Sequence, residues 1–287
     1  VTDLREPSRT ALGAARHRAT HQIVERGRTF ADPLAHRIVG LSAPELLAED
    51  RAHPERRRMR LFIAARSRFA EDALAAAVDG GVRQLVVLGA GLDTFGYRNP
   101  YPGLRVFEVD HPATQAWKRA RLADAGIDVP GSVRHLPVDL ERDELMPALL
   151  TGGVDPGAPL FVSWLGVVPY LTSEAIIGTL AAIGRLPGAH LVFDYANPAD
   201  ELTPRQRADR DRRAANVASV GEPWRTHFGT ADLHQLLRAN GFTVADDLGP
   251  TEIAVRYFGA PADTASRPGG HVVHVVAAGR VAAEDLR

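Results

Sequence analysis

Cysteine is absent from the 287 residues. That absence excludes disulfides, thiolate nucleophiles and cysteine-ligated zinc together. An excess of either charge is lacking too: 34 Lys and Arg stand against 35 Asp and Glu, a net charge of −1. No general electrostatic grip on nucleic acid or on an anionic membrane is expected from such a balance. No apolar run approaches the roughly 20 residues that span a bilayer. The N-terminus, VTDLREPSRTALGAARHRAT, has no apolar signal core. It shares its arginine content with transit peptides, but Asp3 and Glu6 speak against one. Internal repeats are also missing. A cytoplasmic enzyme fits these exclusions, although the lack of cysteine leaves the redox compartment open. What is present is ample: 45% of the residues are hydrophobic, enough for one large α/β domain or two small ones.

Residues 1 to about 79 read as helical. Leu12, Ala15, Ala19 and Ile23 form a rough 3.6-residue stripe. ADPLAHRIVG predicts a short helix entered at Asp32-Pro33 and closed by Gly40. RMRLFIAARSRFAEDALAAAVDGG is alanine-rich and stops at Gly80-Gly81. Strands are then predicted at 83–88, 104–109, 133–138, 159–164, 189–194, 242–246 and 271–277. Helical stretches alternate with them: PATQAWKRARLADAG, TSEAIIGTLAAIGRL capped by Thr172 or Ser173, and TADLHQLLRANG between Thr230 and Gly241. Such alternation implies a mostly parallel sheet with helices on both faces. The expected division is a helical cap over 1–79 and a core over 80–287, interrupted by a polar insertion at 195–229. By composition the insertion is a solvated charged face. By position, after a strand's C-terminal end, it is a lid, because ligands of open α/β sheets bind there.

The most informative stretch is QLVVLGAGLDTFGYR, residues 84–98. An apolar strand runs into Gly89-Ala90-Gly91, the floor of a nucleotide site. A dinucleotide fingerprint would need a third glycine, yet Thr94 stands there and Asp93 precedes it. A carboxylate would repel a pyrophosphate, and no P-loop lysine follows. A nicotinamide or flavin oxidoreductase is therefore disfavoured, and a nucleoside without phosphates is favoured. RVFEVD ends at Asp110, about 20 residues after the glycines, where an acid can accept both ribose hydroxyls. VRHLPVDL brings Asp139, which can accept from an adenine amino group, and Leu140, which can pack on the ring. One such aspartate alone is a loop residue or a helix cap. Three successive strand ends together suit S-adenosyl-L-methionine.

With these residues in place, the sequence resembles the class I S-adenosylmethionine-dependent methyltransferases, and within them the leucine carboxyl methyltransferase-like family. That family includes polyketide-acid O-methyltransferases and many actinobacterial members. ADPLAHRIVG, RSRFAEDAL, LVVLGAGLDTFGYR, VFEVDHP, LPVDL and GVVPYL carry the resemblance over residues 30 to 171. It implies a Rossmann-like α/β fold, a seven-stranded mostly parallel sheet with an N-terminal helical cap and a lid insertion. It also implies that Arg66 holds the methionine carboxylate, which agrees with the bidentate fork of a guanidinium. Otherwise Arg66 is one more arginine on a basic helix. Gly89, with Ala90 and Gly91, matches the cofactor loop, Asp110 the ribose acid, and Asp139 with Leu140 the adenine pair. Glu108 is read as an ordinary supporting residue on the same strand side as Asp110.

One position departs from the family. Where many relatives carry a glutamate facing the cofactor, this chain has Leu165, so a contact to the methionine amino group is missing or made by backbone carbonyls. Tyr170 matches the family tyrosine, which either orients the acceptor or packs at the pocket rim. No residue stands out as a general base. His17 and His21, four apart, would be half a metal site, but no third ligand is visible and no metal is expected. His227, in the insertion, is the best base candidate, though a solvated or structural histidine is the plainer reading. Tyr170 and His227 are thus the two catalytic candidates. The favoured activity is O-methylation of a carboxylate on a small molecule or peptide terminus, in secondary metabolism. The alternatives are a phenol or alcohol acceptor and a non-catalytic S-adenosylmethionine-binding protein.

Overall fold

The computed structural model describes residues 7–261, 264 and 267–278; the first six residues of the arginine-rich N-terminus lie outside this range. Among the described residues, four α-helices precede the first strand: α1 (Arg9–Val24), α2 (Ala35–Val39), α3 (Ala43–Ala52) and α4 (Arg57–Asp79). Strand β1 (Gln84–Leu88) is followed by β2 (Arg105–Asp110), α5 (Pro112–Asp124), β3 (Val133–Pro137), α6 (Leu145–Thr151) and β4 (Phe161–Trp164). Then come α7 (Ser173–Gly184), β5 (His190–Ala196), α8 (Pro204–Ser219), α9 (Thr230–Ala239), β6 (Phe242–Leu248), α10 (Pro250–Phe258) and β7 (Gly270–Ala277). The strands lie side by side in the order β3-β2-β1-β4-β5-β7-β6.

The five strands from β3 to β5 are parallel, and β7 runs antiparallel to both its neighbours. All five residues of β1, Gln-Leu-Val-Val-Leu, are buried, as expected of a central parallel strand covered on both faces. Alternate side chains feed two cores. Val86 and Leu88 join Phe107, Val162, Trp164 and Leu191 beneath α6, α7 and α9. Leu85 and Val87 face the other way, toward Phe69, Leu74, Ala77 and Val78 of α4. A third cluster packs Ala15, Ala19, Ile38 and Leu46 of the first three helices against Leu92, Leu122 and Ile127. The helices before β1 thus split: α4 belongs to the sheet, while α1 to α3 sit over the loop after β1 and over α5.

All seven expected strands are present, with ends moved by a residue or two. β5 extends to Ala196 and β6 to Leu248 because β7 pairs along both, from His190↔Val276 to Ala196↔Gly270 on one side. Three helices carried no clear periodic signal. α6 and α10 have seven and nine residues, about two turns each, and α3 buries only Leu46. α3 is set by its ends instead, with a Ser42–Glu45 capping box and Pro44 in the first turn. Among the described residues no helix is long and apolar enough to cross a membrane.

Candidate functional site

The strand order reverses between β1 and β4, the switch point at which open α/β sheets form a crevice beyond the strand ends. The glycine loop lies there. Gly89 and Gly91 have φ of 62° and 44°, in the left-handed region that glycine adopts without steric cost. Space demands them as well. A Cβ on Gly89 would come within 2.3 Å of Val167, and one on Gly91 within 2.9 Å of Ala11 in the first turn of α1. Ala90 is buried, and its N–H donates to Val109 O at 3.1 Å.

Asp110 closes β2 beside this loop. Its Oδ2 accepts from Gly91 N at 2.5 Å and its Oδ1 from His111 N at 2.7 Å. Burial pushes the carboxyl up to about 6, against the pull of these two hydrogen bonds. β3 ends in register one strand over, with Asp110 opposite Pro137 and Val138 N donating to Asp110 O. Asp139 follows directly. Its Oδ1 accepts from Glu141 N at 3.0 Å, and Arg142 Nε stands 3.7 Å from its Oδ2. Leu140 is half-buried against the main core. The glycine loop, Asp110, Asp139 and Leu140 therefore occupy three neighbouring strand ends.

Asp93 and Thr94, the residues that break the dinucleotide fingerprint, serve the loop itself. Asp93 accepts from Phe95 N at 2.8 Å and opens a tight turn. Thr94 donates to Asp32 Oδ1 at 2.7 Å. Asp32 is fully buried and also receives Arg18 Nε at 3.2 Å and Leu34 N at 3.2 Å. Arg18 in turn donates to Leu92 O at 2.6 Å. The first helices are thus bolted to the glycine loop through one buried carboxylate. Glu108 has an equivalent role on β2, buried against Lys118 Nζ at 2.7 Å and the Tyr97 hydroxyl at 2.8 Å.

Arg66 projects from α4 toward the ends of β4 and β5. Its Nη1 donates to Asp194 Oδ2 at 2.7 Å, while Asp194 Oδ1 accepts from Gly166 N at 2.5 Å. Arg66 is nine-tenths buried, and its Nε has no protein partner. A Cβ on Gly166 would strike Nη2 at 2.6 Å, so glycine here makes room for the guanidinium. Neighbouring Leu165 packs with the α4-side core. Asp194 did not stand out in the sequence, although an acid inside the apolar run LVFDYA was a readable signal, since a buried charge demands a partner.

Tyr170 lies between α1, the insertion and Arg66. Burial raises its phenol above the ordinary value, opposed by hydrogen bonds with the Trp224 and Thr10 side chains and by the Arg66 charge. His227 packs edge-on to Trp224, and its Nε2 lies 3.2 Å from Arg210 Nη2. Since a guanidinium only donates, Nε2 is the acceptor and the proton sits on Nδ1. Burial and Arg210 hold His227 below its usual range. His17, half-buried, is pushed down to about 4 by desolvation and by the charges of Arg56, Arg60 and Arg66. The insertion is tied down at its far end, where Arg225 N donates to Pro169 O at 2.7 Å and Thr226 Oγ1 to Leu171 O at 2.6 Å. Glu222 bonds across to α1, a contact that no local sequence signal announces.

A profile of the leucine carboxyl methyltransferase family matches residues 11–184, which span the first helices, the glycine loop, Asp110, Asp139 and Tyr170. The chain belongs to this family of S-adenosylmethionine-dependent methyltransferases. The methyltransferase is 34% identical over 218 residues to YktD of Bacillus subtilis (strain 168), named a candidate S-adenosyl-L-methionine-dependent methyltransferase. That match covers 74% of this chain and 71% of YktD. A relative of the same description from Mycobacterium marinum is 32% identical over 267 residues, covering 83% and 82% of the two chains. Among solved structures, a candidate methyltransferase from Thermobifida fusca YX superposes with a TM-score of 0.61 at 16% identity, covering 96% of each chain. A DUF574 family protein from Streptomyces avermitilis gives 0.56 at 16% identity, covering 96% and 98%. At that identity the two structures share the methyltransferase's fold and nothing finer.

Proposed function

We propose that this methyltransferase transfers the methyl group of S-adenosylmethionine to a carboxylate oxygen of a small molecule or peptide terminus. The crevice fits the cofactor on three counts. Gly89 and Gly91 take left-handed backbone turns that carry the chain tightly past the strand end, where a ligand can approach. Asp110 presents a carboxylate whose two oxygens have lone pairs to spare beyond the backbone bonds they accept. Arg66 holds a buried donor without a protein partner. In this reading Asp110 takes the ribose hydroxyls, Asp139 and Leu140 the adenine, and Arg66 the methionine carboxylate. Of the expected cap, α1 to α3 cover the glycine loop while α4 belongs with the sheet, and 195–229 serves as lid, closing the acceptor pocket near Tyr170. The bound cofactor supplies an electrophilic methyl on a sulfonium, and the chain's task is to align the acceptor oxygen in line and exclude water.

The observation that carries the acceptor class is the state of the two proton-handling candidates. Tyr170 is held protonated by burial, and the lone pair of His227 is engaged by Arg210. A pocket without a ready base suits an acceptor that is ionised before it arrives. An alcohol, or a phenol, gains from a base worth about 10²–10⁴-fold. Incubation with radiolabelled cofactor and a panel of carboxylic acids and phenols tests this. Mild alkali cleaves a methyl ester and leaves a methyl ether intact. An alkali-stable product refutes the carboxylate reading, and no product with any acceptor, despite S-adenosylhomocysteine binding, supports a non-catalytic binder.

A further inference from the structure

Glu222 sits just past α8, after Gly221 at a φ of 82° and before Pro223. Its carboxylate reaches the start of α1 across more than 200 residues of sequence. Oε2 accepts from Ser8 Oγ at 2.9 Å and from Thr10 Oγ1, and Oε1 accepts from Arg9 N at 2.6 Å. Thr10 N lies 3.4 Å from both oxygens. Free N–H groups of a first helical turn suit an anion, and here the insertion itself supplies it.

Two further observations give this contact a consequence. The turn of α1 that Glu222 holds lies on the glycine loop, with Ala11 against Gly91, and Ser8 N donates to Thr114 Oγ1 at the start of α5, just beyond Asp110. Its neighbours also converge on one phenol: Thr10 from α1 and Trp224 from the insertion both approach Tyr170 closely enough to influence its ionisation. Meanwhile α8 buries none of its own residues, so packing does little to hold that helix in place.

We propose that Glu222 is a latch that holds the insertion closed against the fixed N-terminal helix, over the cofactor and beside Tyr170. This rests on the placement of the cofactor at Gly89, Asp110 and Asp139 argued above. Cofactor and product exchange would then require the Glu222 contacts to break.

Dissociation of S-adenosylhomocysteine, followed by stopped-flow tryptophan fluorescence with Trp224 as the lid reporter, tests the latch. Glu222→Ala should release the ligand about tenfold faster, the equivalent of one charge-assisted hydrogen bond. The opposite perturbation exploits the cysteine-free chain. In a Thr10→Cys, Glu222→Cys double variant, a short bis-maleimide bridge should slow exchange by at least about tenfold, by the same measure. A bridged protein that exchanges as fast as the unbridged one overturns the proposal, even where Glu222→Ala proves too unstable to study. Asp110→Ala separates the two readings. If its affinity is unchanged, the cofactor placement fails. If Asp110→Ala weakens binding but neither latch variant alters exchange, the latch alone fails.

Discussion

Asp32 and Glu222 are both carboxylates that tie the first helices to a distant part of the chain, and they work under opposite conditions. Asp32 is fully buried and faces Arg18 and Thr94, with Arg98 Nε 3.6 Å away. Glu222 is half-buried and faces hydroxyls and backbone N–H groups at the rim. A buried charge among charged partners cannot be released without stranding another charge in low dielectric. A rim carboxylate can trade its partners for water. The glycine-loop side is therefore built to stay in place, and the insertion side to let go. The same contrast separates Glu108 with Lys118, both almost fully buried, from the exposed Arg212–Asp209 pair of α8.

The largest effect should come from the buried side. Asp32→Asn removes the charge opposite Arg18, and breaking such a pair costs about 3–5 kcal/mol. Urea unfolding measures it; a loss below 1 kcal/mol would mean the loop is held by packing instead.

Next is Asp110→Ala, which should weaken S-adenosylhomocysteine binding by about 1.5–3 kcal/mol, the range for hydrogen bonds to a charged group. Calorimetry against pH sharpens the point. The carboxyl titrates at about 6 in the free protein, and ribose hydroxyls donate best to its ionised form. Affinity should be level above that pH and fall as pH drops through it, since protonation then competes with binding. Asp110→Asn should abolish this dependence.

Arg66→Lys should lower affinity for S-adenosylhomocysteine about tenfold, because an ammonium cannot reproduce a planar fork held by Asp194. Adenosine, which lacks the methionine carboxylate, should bind unchanged. Equal losses for both ligands would make Arg66 a purely structural partner of Asp194.

On the insertion side effects should shrink. His227→Gln should leave kcat within about a few-fold, well short of the 10²–10⁴-fold of a general base, and kcat should not rise with pH through a histidine-like titration. Arg212→Ala, on an exposed pair of α8, should change stability by less than about 0.5 kcal/mol. A large loss in either would erase the contrast between the two sides.

Much of the glycine loop and the neighbouring strand ends was legible because their signals are local. Gly89-Ala90-Gly91 after a run of apolar residues, and acids closing the next two strands, can each be read within ten residues. The insertion could be recognised as polar and partly helical, but its contact with α1 could not. Glu222 has its partners at Ser8 to Thr10, and no periodicity records so distant a pairing. Asp194 pairs with Arg66 across 128 residues: the acid inside LVFDYA is legible locally, but its partner is not. The short helices α6 and α10 were missed because two turns cannot display a stripe.

The sequence by itself determined which segments are strands, where the chain must turn on glycine, and which residues stand at the strand ends. These follow from local sterics and from the alternation of apolar side chains, which act between near neighbours. Tertiary structure alone decided that β7 inserts antiparallel between β5 and β6, that α4 joins the sheet while α1 to α3 cover the glycine loop, and that Asp194 and Glu222 find their partners. Those outcomes depend on burying apolar faces and satisfying charges between segments far apart in the chain, and such terms acquire values only once the fold has brought the segments together.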